Sequence, residues 1–239
     1  MSAERQAAQR RISLGAGVLF LITFVTSIAA YALFQPVLDD PAGYISGAGE
    51  DSQIYLGVVL ELLLIVANIG TAVVLFPVLK RQSEMLSLGY VTARIVECVF
   101  IAAGILCVLG IVSLGQDDPS AGSLAVSLAA IKDWTFLLGP GLIVGLGNGL
   151  ILGYLMYRSE LVPRRMAMLG IIGGPLLFAA GIGVLFGLFE PGGTVQNLAT
   201  VPEFLWELSL GIYLTVKGFR RSPVVRDARG FVAEPQPAS

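Results

Sequence analysis

A guanidinium and several carboxyls set inside apolar runs are the residues of this chain best placed to do chemistry. Arg94 and Glu97 interrupt Leu86–Leu114, a run longer than the roughly 20 residues that cross a bilayer. Spaced three apart, they share one helical face, one turn above the other. Glu61 and Asn68 lie in Ile54–Leu79 and share a face with Gly57, which leaves room beside Glu61 for a neighbour or a ligand. Asn148 falls near the middle of Trp134–Tyr157, and Glu207 lies in Pro202–Val216, a turn beyond Glu203. A charge at mid-membrane costs about 2.5–3.5 kcal/mol on insertion scales, so such groups face protein or water rather than lipid. Glu61, Glu97 and Glu207 against Arg94 alone leave an uncompensated negative charge, which is expensive in a low dielectric. Either a carboxyl holds a proton, or a cation or a water-filled cavity meets them. The expected chemistry is binding or conduction of a small cationic or protonatable ligand. Its lining would be Glu61, Asn68, Arg94, Glu97, Asn148 and Glu207, in a cavity open to the exoplasmic side. By helix rise, Glu61 and Glu207 share an outer layer, with Glu97 up to about 10 Å deeper. The competing reading is structural: Arg94 bonds Glu97, Glu61 and backbone carbonyls and pins the bundle.

Composition excludes other chemistry. The chain has no histidine, which removes His-ligated haem, His-based zinc and any Ser–His or Cys–His pair. No catalytic residue, metal site or cofactor is assigned, and an intramembrane acid–base enzyme is the reading with least support. Lys80, Lys132 and Lys217 fall at span ends, so no mid-helix lysine is available to retinal. Cys98 and Cys107, nine apart in one run, cannot bond each other and read as small buried residues.

These side chains need elements to position them. Only 13% of residues are charged and mean hydropathy is +0.81, against about 25% charged in soluble domains. Charges cluster between six apolar runs: Leu14–Leu38, Ile54–Leu79, Leu86–Leu114, Trp134–Tyr157, Met166–Phe189 and Pro202–Val216. Alternate connections are basic; Arg94 and Lys132 are the only cations outside the termini, the second loop and the fourth loop. The positive-inside rule then predicts an all-α membrane protein, a six-transmembrane-helix bundle with both termini cytoplasmic. Residues 1–11 would be a cytoplasmic segment, 12–221 the transmembrane domain and 222–239 a disordered cytoplasmic tail. Ser123–Lys132 would form a short interfacial helix or extend the fourth span. The first run ends near Ala30-Tyr31-Ala32, which resembles a secretory cleavage site, though the run is long for a signal and a retained helix is expected.

Packing follows from small residues, because lipid supplies no hydrophobic drive between helices. Gly141, Gly145, Gly149 and Gly153 form a ladder on the fourth run, and Gly170, Gly174, Gly183 and Gly187 lie on the fifth; these two helices should touch. Pro140 and Pro175 should kink them. Thr200 and Glu203 with Pro202 read as a capping box that starts the sixth helix. Trp134 and Trp206 read as an aromatic belt.

The segments Thr92–Glu97 (TARIVE) and Pro202–Phe219 (PEFLWELSLGIYLTVKGF) resemble a family of multi-pass bacterial membrane proteins. That family is known as domain of unknown function number four-three-eight-six. The resemblance extends from about Arg11 to Phe219 and rests on Arg94, Glu97, Pro202, Glu207, Lys217, Gly218 and Phe219. It implies six or seven spans and carries no activity. Expected partners are the lipid bilayer of the cell membrane, a small cation or proton, and a homo-oligomer or partner helices. A nucleic-acid role is not indicated, since Arg220, Arg221, Arg226 and Arg229 suit anionic lipid better.

Overall fold

Peptide groups within apolar runs of this length have only one another to bond, which dictates helices. The computed structural model describes residues 3–48, 50–220 and 222, and these are helical with no strand among them. Helix α1 spans Ala3–Asp39, and a single turn, α2 (Pro41–Gly43), follows it. Helices α3 (Asp51–Leu79) and α4 (Glu84–Asp117) form a hairpin around a tight basic turn. Ser83 caps α4 by accepting from the Leu86 amide. Helix α5 (Gly122–Phe136) continues without a break through π-helical turns at Leu137–Ile143 and Gly145–Leu152 into α6 (Gly153–Ser159). Helices α7 (Arg164–Leu185) and α8 (Thr194–Val216) complete the chain. The α5 segment therefore extends the fourth span rather than standing apart, and α8 starts well before Pro202.

Five of these helical stretches are long and apolar enough to cross a membrane: Gln6–Asp39, Asp51–Leu79, Glu84–Asp117, Gly122–Ser159 and Arg164–Leu185. Helix α8 carries Glu203 and Glu207 in mid-course, which lowers its average hydropathy. The surface agrees with a lipid setting. Val25, Val66, Val99 and Leu106 are exposed, while Arg94, Glu97, Lys132 and Glu203 are buried. That is the reverse of the arrangement water selects, and it points to a multi-pass membrane protein.

Successive long helices are neighbours. Helix α1 packs on α3, α3 on α4, α4 on α5 and the π-helical turns, and these on α7; α7 packs on α8, and α8 returns to α1. The ring is therefore closed. One end gathers basic segments: Arg10 donates to the carbonyls of Leu214 and Thr215 at the end of α8, and the Arg220 amide donates to Leu161. The opposite, acidic end joins the start of α3 to the end of α4, where Gln116 Nε2 donates to Asp51 Oδ2 at 2.8 Å. Two apolar clusters fill the ring, one around Phe20, Leu75, Tyr90 and Trp206, the other around Phe34, Ile54, Ile105 and Ile111. Helix α1 runs unbroken through Ala30-Tyr31-Ala32. Apart from Ser222, the expected tail lies outside the described residues.

The glycine seam forms as expected at Gly145, Gly149 and Gly153, which meet Gly174 and Gly170 of α7. Gly141, Gly183 and Gly187 do not take part: the first faces its own helix, the second meets the Phe189 ring, and the third occupies a turn at φ 70 beyond α7. A Cβ added at Gly174 would lie 2.6 Å from the Leu150 nitrogen and 2.9 Å from the Gly149 Cα. Gly174→Ala should therefore destabilise the bundle by about 1–3 kcal/mol through overpacking. Gly15→Ala, whose Cβ would meet only Val74 at 3.7 Å, should be neutral or stabilising by up to about 1 kcal/mol. Unfolding of the two variants in detergent micelles measures the contrast.

Candidate functional site

The interior polar groups form two layers rather than one cluster. Nearer the acidic end, Lys132 of α5 donates to Glu61 Oε1 of α3 at 2.7 Å, and both side chains are buried. Because the helix begins at Gly122, Lys132 lies about 15 Å inside it and not at its end. Gly104 of α4 makes space for it: a Cβ there would stand 2.8 Å from Lys132 Cδ. The Lys132 ammonium also lies 5.1 Å from the centre of the Phe34 ring, a cation–π distance. The same ring fills the place beside Gly57, so the room next to Glu61 goes to a neighbouring helix and not to a ligand. Glu61 is thus paired away from Arg94, and it does not share a layer with Glu207.

The second layer is built two turns further along α3. Arg94 Nη1 donates to Glu97 Oε2 at 2.7 Å, and Asn68 Nδ2 donates to Glu97 Oε1 at 2.9 Å. Glu97 therefore accepts at both oxygens and ties α3 to α4. Thr71 reaches the Tyr90 hydroxyl at 3.2 Å, and the Arg94 guanidinium lies 5.7 Å from the Phe20 ring of α1. From the other side, Asn148 Nδ2 donates to Glu207 Oε1 of α8. Trp206 donates to the Asn148 carbonyl at 3.0 Å. Trp206 is fully buried, so it belongs to this core and not to an aromatic belt. Its indole needs an acceptor there, and the π-helical turn supplies one. Glu207 lies within electrostatic reach of Arg94 and Glu97.

Asn68, Arg94, Glu97, Asn148 and Glu207 are therefore brought together, and Glu61 is not. Lys132, Tyr90 and Glu203 were not among the expected lining. Glu203 is 2% exposed and caps nothing, since α8 begins three turns earlier with Gly193 as its N-cap. The helical spacing to Glu207 was the signal that could have found it. The inner layer holds three carboxyls, Glu97, Glu203 and Glu207, against one guanidinium. Several of its polar atoms have no partner: both Glu203 oxygens, Asn148 Oδ1, and Arg94 Nε and Nη2. Glu207 is the least buried of the three acids. Among the described residues no group of side chains suits a metal ion.

At the acidic end a cleft of about 250 Å³ is lined by Tyr44, Ile45, Gly47, Asp51, Gly115 and Gln116. Burial, and then the hydrogen bond from its hydroxyl to Asp51 at 2.7 Å, push the Tyr44 phenol well above the usual tyrosine range. Because the folded state holds this proton more tightly than the unfolded chain, the fold keeps its full stability at neutral pH and loses some as pH rises above the ordinary tyrosine range toward the raised folded value.

The family model for a domain of unknown function, DUF4386, matches residues 15–218. The chain belongs to the DUF4386 family. Every polar side chain of both interior layers lies within the DUF4386 match. No solved structure matches the chain.

Removing one partner of the Lys132–Glu61 pair leaves a buried charge without compensation. Lys132→Met should cost about 3–5 kcal/mol of stability, and Lys132→Met combined with Glu61→Leu should recover most of it. Thermal unfolding of the four proteins of this double-mutant cycle checks the coupling.

Proposed function

We propose that this DUF4386 protein crosses the cell membrane six times, with α8 as the sixth span and both termini cytoplasmic. We also propose that its inner polar layer binds a small cationic or protonatable ligand. Helix α8 is 23 residues long, about 34 Å, enough for a hydrocarbon core of about 30 Å. The positive-inside rule sets the orientation, because the basic segments and both described ends of the chain gather at one end of the ring. The observation that carries the ligand reading is the imbalance of the inner layer. Glu97 is satisfied by Arg94 and Asn68, which leaves Glu203 and Glu207 with no cation of their own. A proton or a small ammonium supplies what the protein withholds. Glu207, partly accessible and held by Asn148, is the group that meets it first.

A second reading has its own support. The Arg94–Glu97–Asn68 bonds link α3 to α4, and such a link pins helices whether or not a ligand binds. The two roles divide between residues: Glu97 holds the ring, and Glu207 faces the ligand.

Topology is checked on a background lacking Cys98 and Cys107. Ser120→Cys and Thr194→Cys should react with a membrane-impermeant maleimide on intact cells, and Glu84→Cys should react only after lysis. Reaction of Glu84→Cys before lysis would reverse the orientation. For ligand binding, the purified protein is unfolded thermally in sodium or methylammonium at constant ionic strength, balanced with N-methylglucamine. One of the two ions should raise Tm with concentration, as binding to the folded state requires. Glu207→Gln should abolish the rise while keeping the fold, and Glu97→Gln should lower Tm without any ion present. Equal ion responses in wild type and Glu207→Gln would leave only the pinning role.

A further inference from the structure

Glu203 is buried more deeply than the chemistry of an ionised carboxylate allows. It is 2% exposed, and neither oxygen has a hydrogen-bond partner. Its surroundings explain why a cation cannot answer it. The carboxyl lies against Gly149 in the π-helical stretch, where an added Cβ would stand 2.5 Å from Glu203 Oε2. The Glu203 backbone lies equally close to α7, where a Cβ on Gly173 would stand 2.6 Å from the Glu203 nitrogen. Glycine on both neighbours lets the acid fit and leaves no room on those sides for an ion with its ligands. The charged groups within electrostatic range of it are Glu207, one turn along α8, and Arg94 and Glu97 of α4. The neighbouring faces of α7 and of the π-helical stretch contribute glycine there. Arg94 is already committed to Glu97 at 2.7 Å. The second acid, Glu207, repels a charge on Glu203 rather than balancing it.

We infer that Glu203 is a proton-binding residue, carried as the neutral acid in this closed form of the glycine seam, and that the proton it gives up passes to Glu207. The two acids are four residues apart on one face of α8, so the transfer needs no change of helix. The step is balanced: the Glu203 O–H bond breaks, an O–H bond forms on Glu207, and the charge moves one turn along α8. The inference names the proton as the ligand at this point of the site, and so rests on the reading above. It adds that the seam between the π-helical stretch and α7 must part before Glu203 can stay ionised.

The test is infrared spectroscopy of the purified protein in lipid at neutral pH. Wild type should show the C=O stretch of a protonated carboxylic acid, shifted by deuteration and slow to exchange. Glu203→Gln, an uncharged mimic of the neutral acid, should keep Tm within error of wild type and lose that band. Glu203→Asp should retain a band at a changed frequency, which reads the same assignment should the glutamine variant not fold. Glu207→Gln should keep the band and slow its deuteration. Absence of the wild-type band, or its persistence in Glu203→Gln, would overturn the inference. A sodium or methylammonium response that survives such a result would place the failure at Glu203 alone. A missing ion response beside an intact band would mean that the site handles protons only.

Discussion

An ionised group surrounded by hydrocarbon has to find its counter-charge inside the protein, and this requirement organises the whole structure. Arg94 and Lys132 are the two cations buried among the described residues, and each meets a carboxylate at 2.7 Å. The helices that carry these pairs must turn their polar faces toward one another. They thereby turn valine, leucine and isoleucine outward. The closed ring follows, because an open arrangement would leave one polar face against lipid.

The two pairs are not equivalent. Lys132–Glu61 is a balanced pair with Phe34 packed over it, and only Glu61 Oε2 of the two side chains' buried polar atoms lacks a partner among the described residues. The Arg94 layer is unbalanced. It collects three acids from two helices, along with Asn68, Asn148, Tyr90 and Thr71, and leaves several polar atoms unpaired. A purely structural clamp gains nothing from surplus acid, since a half-satisfied buried network costs more than an apolar core. The difference between the layers is therefore what gives the inner one a claim to function.

The glycine seam connects this electrostatics to packing. Gly145, Gly149 and Gly153 let the fourth helical stretch lie against α7, and Gly149 and Gly173 let α8 bring Glu203 between them. The π-helical turns are part of the same device. They widen the helix where Pro140 already denies it one donor, and they present the Asn148 carbonyl to Trp206. Packing by small residues and burial of an acid thus occur at one place.

Much of this was legible in the chain. Apolar runs separated by charge, the alternation of basic turns, the glycine ladder and the Arg94–Glu97 spacing all depend on local periodicity, and local periodicity is written in the sequence. Two of the differences share one source, a helix that starts earlier than its apolar run. The apolar run that starts near Trp134 puts Lys132 at a span end, whereas the helix starts at Gly122 and carries the lysine inside. Thr200 and Pro202 look like a helix start and suggest a capping role for Glu203, whereas α8 begins at Thr194. Sequence alone determined which residues are too polar for lipid and must face inward, since transfer energy belongs to each side chain by itself. Tertiary structure decided which of them meet, separating Glu61 from Arg94 and joining Glu203 to Glu207 and Asn148. Partner choice depends on helix ends, rotation and close approach, and those are settled only when the helices pack against one another.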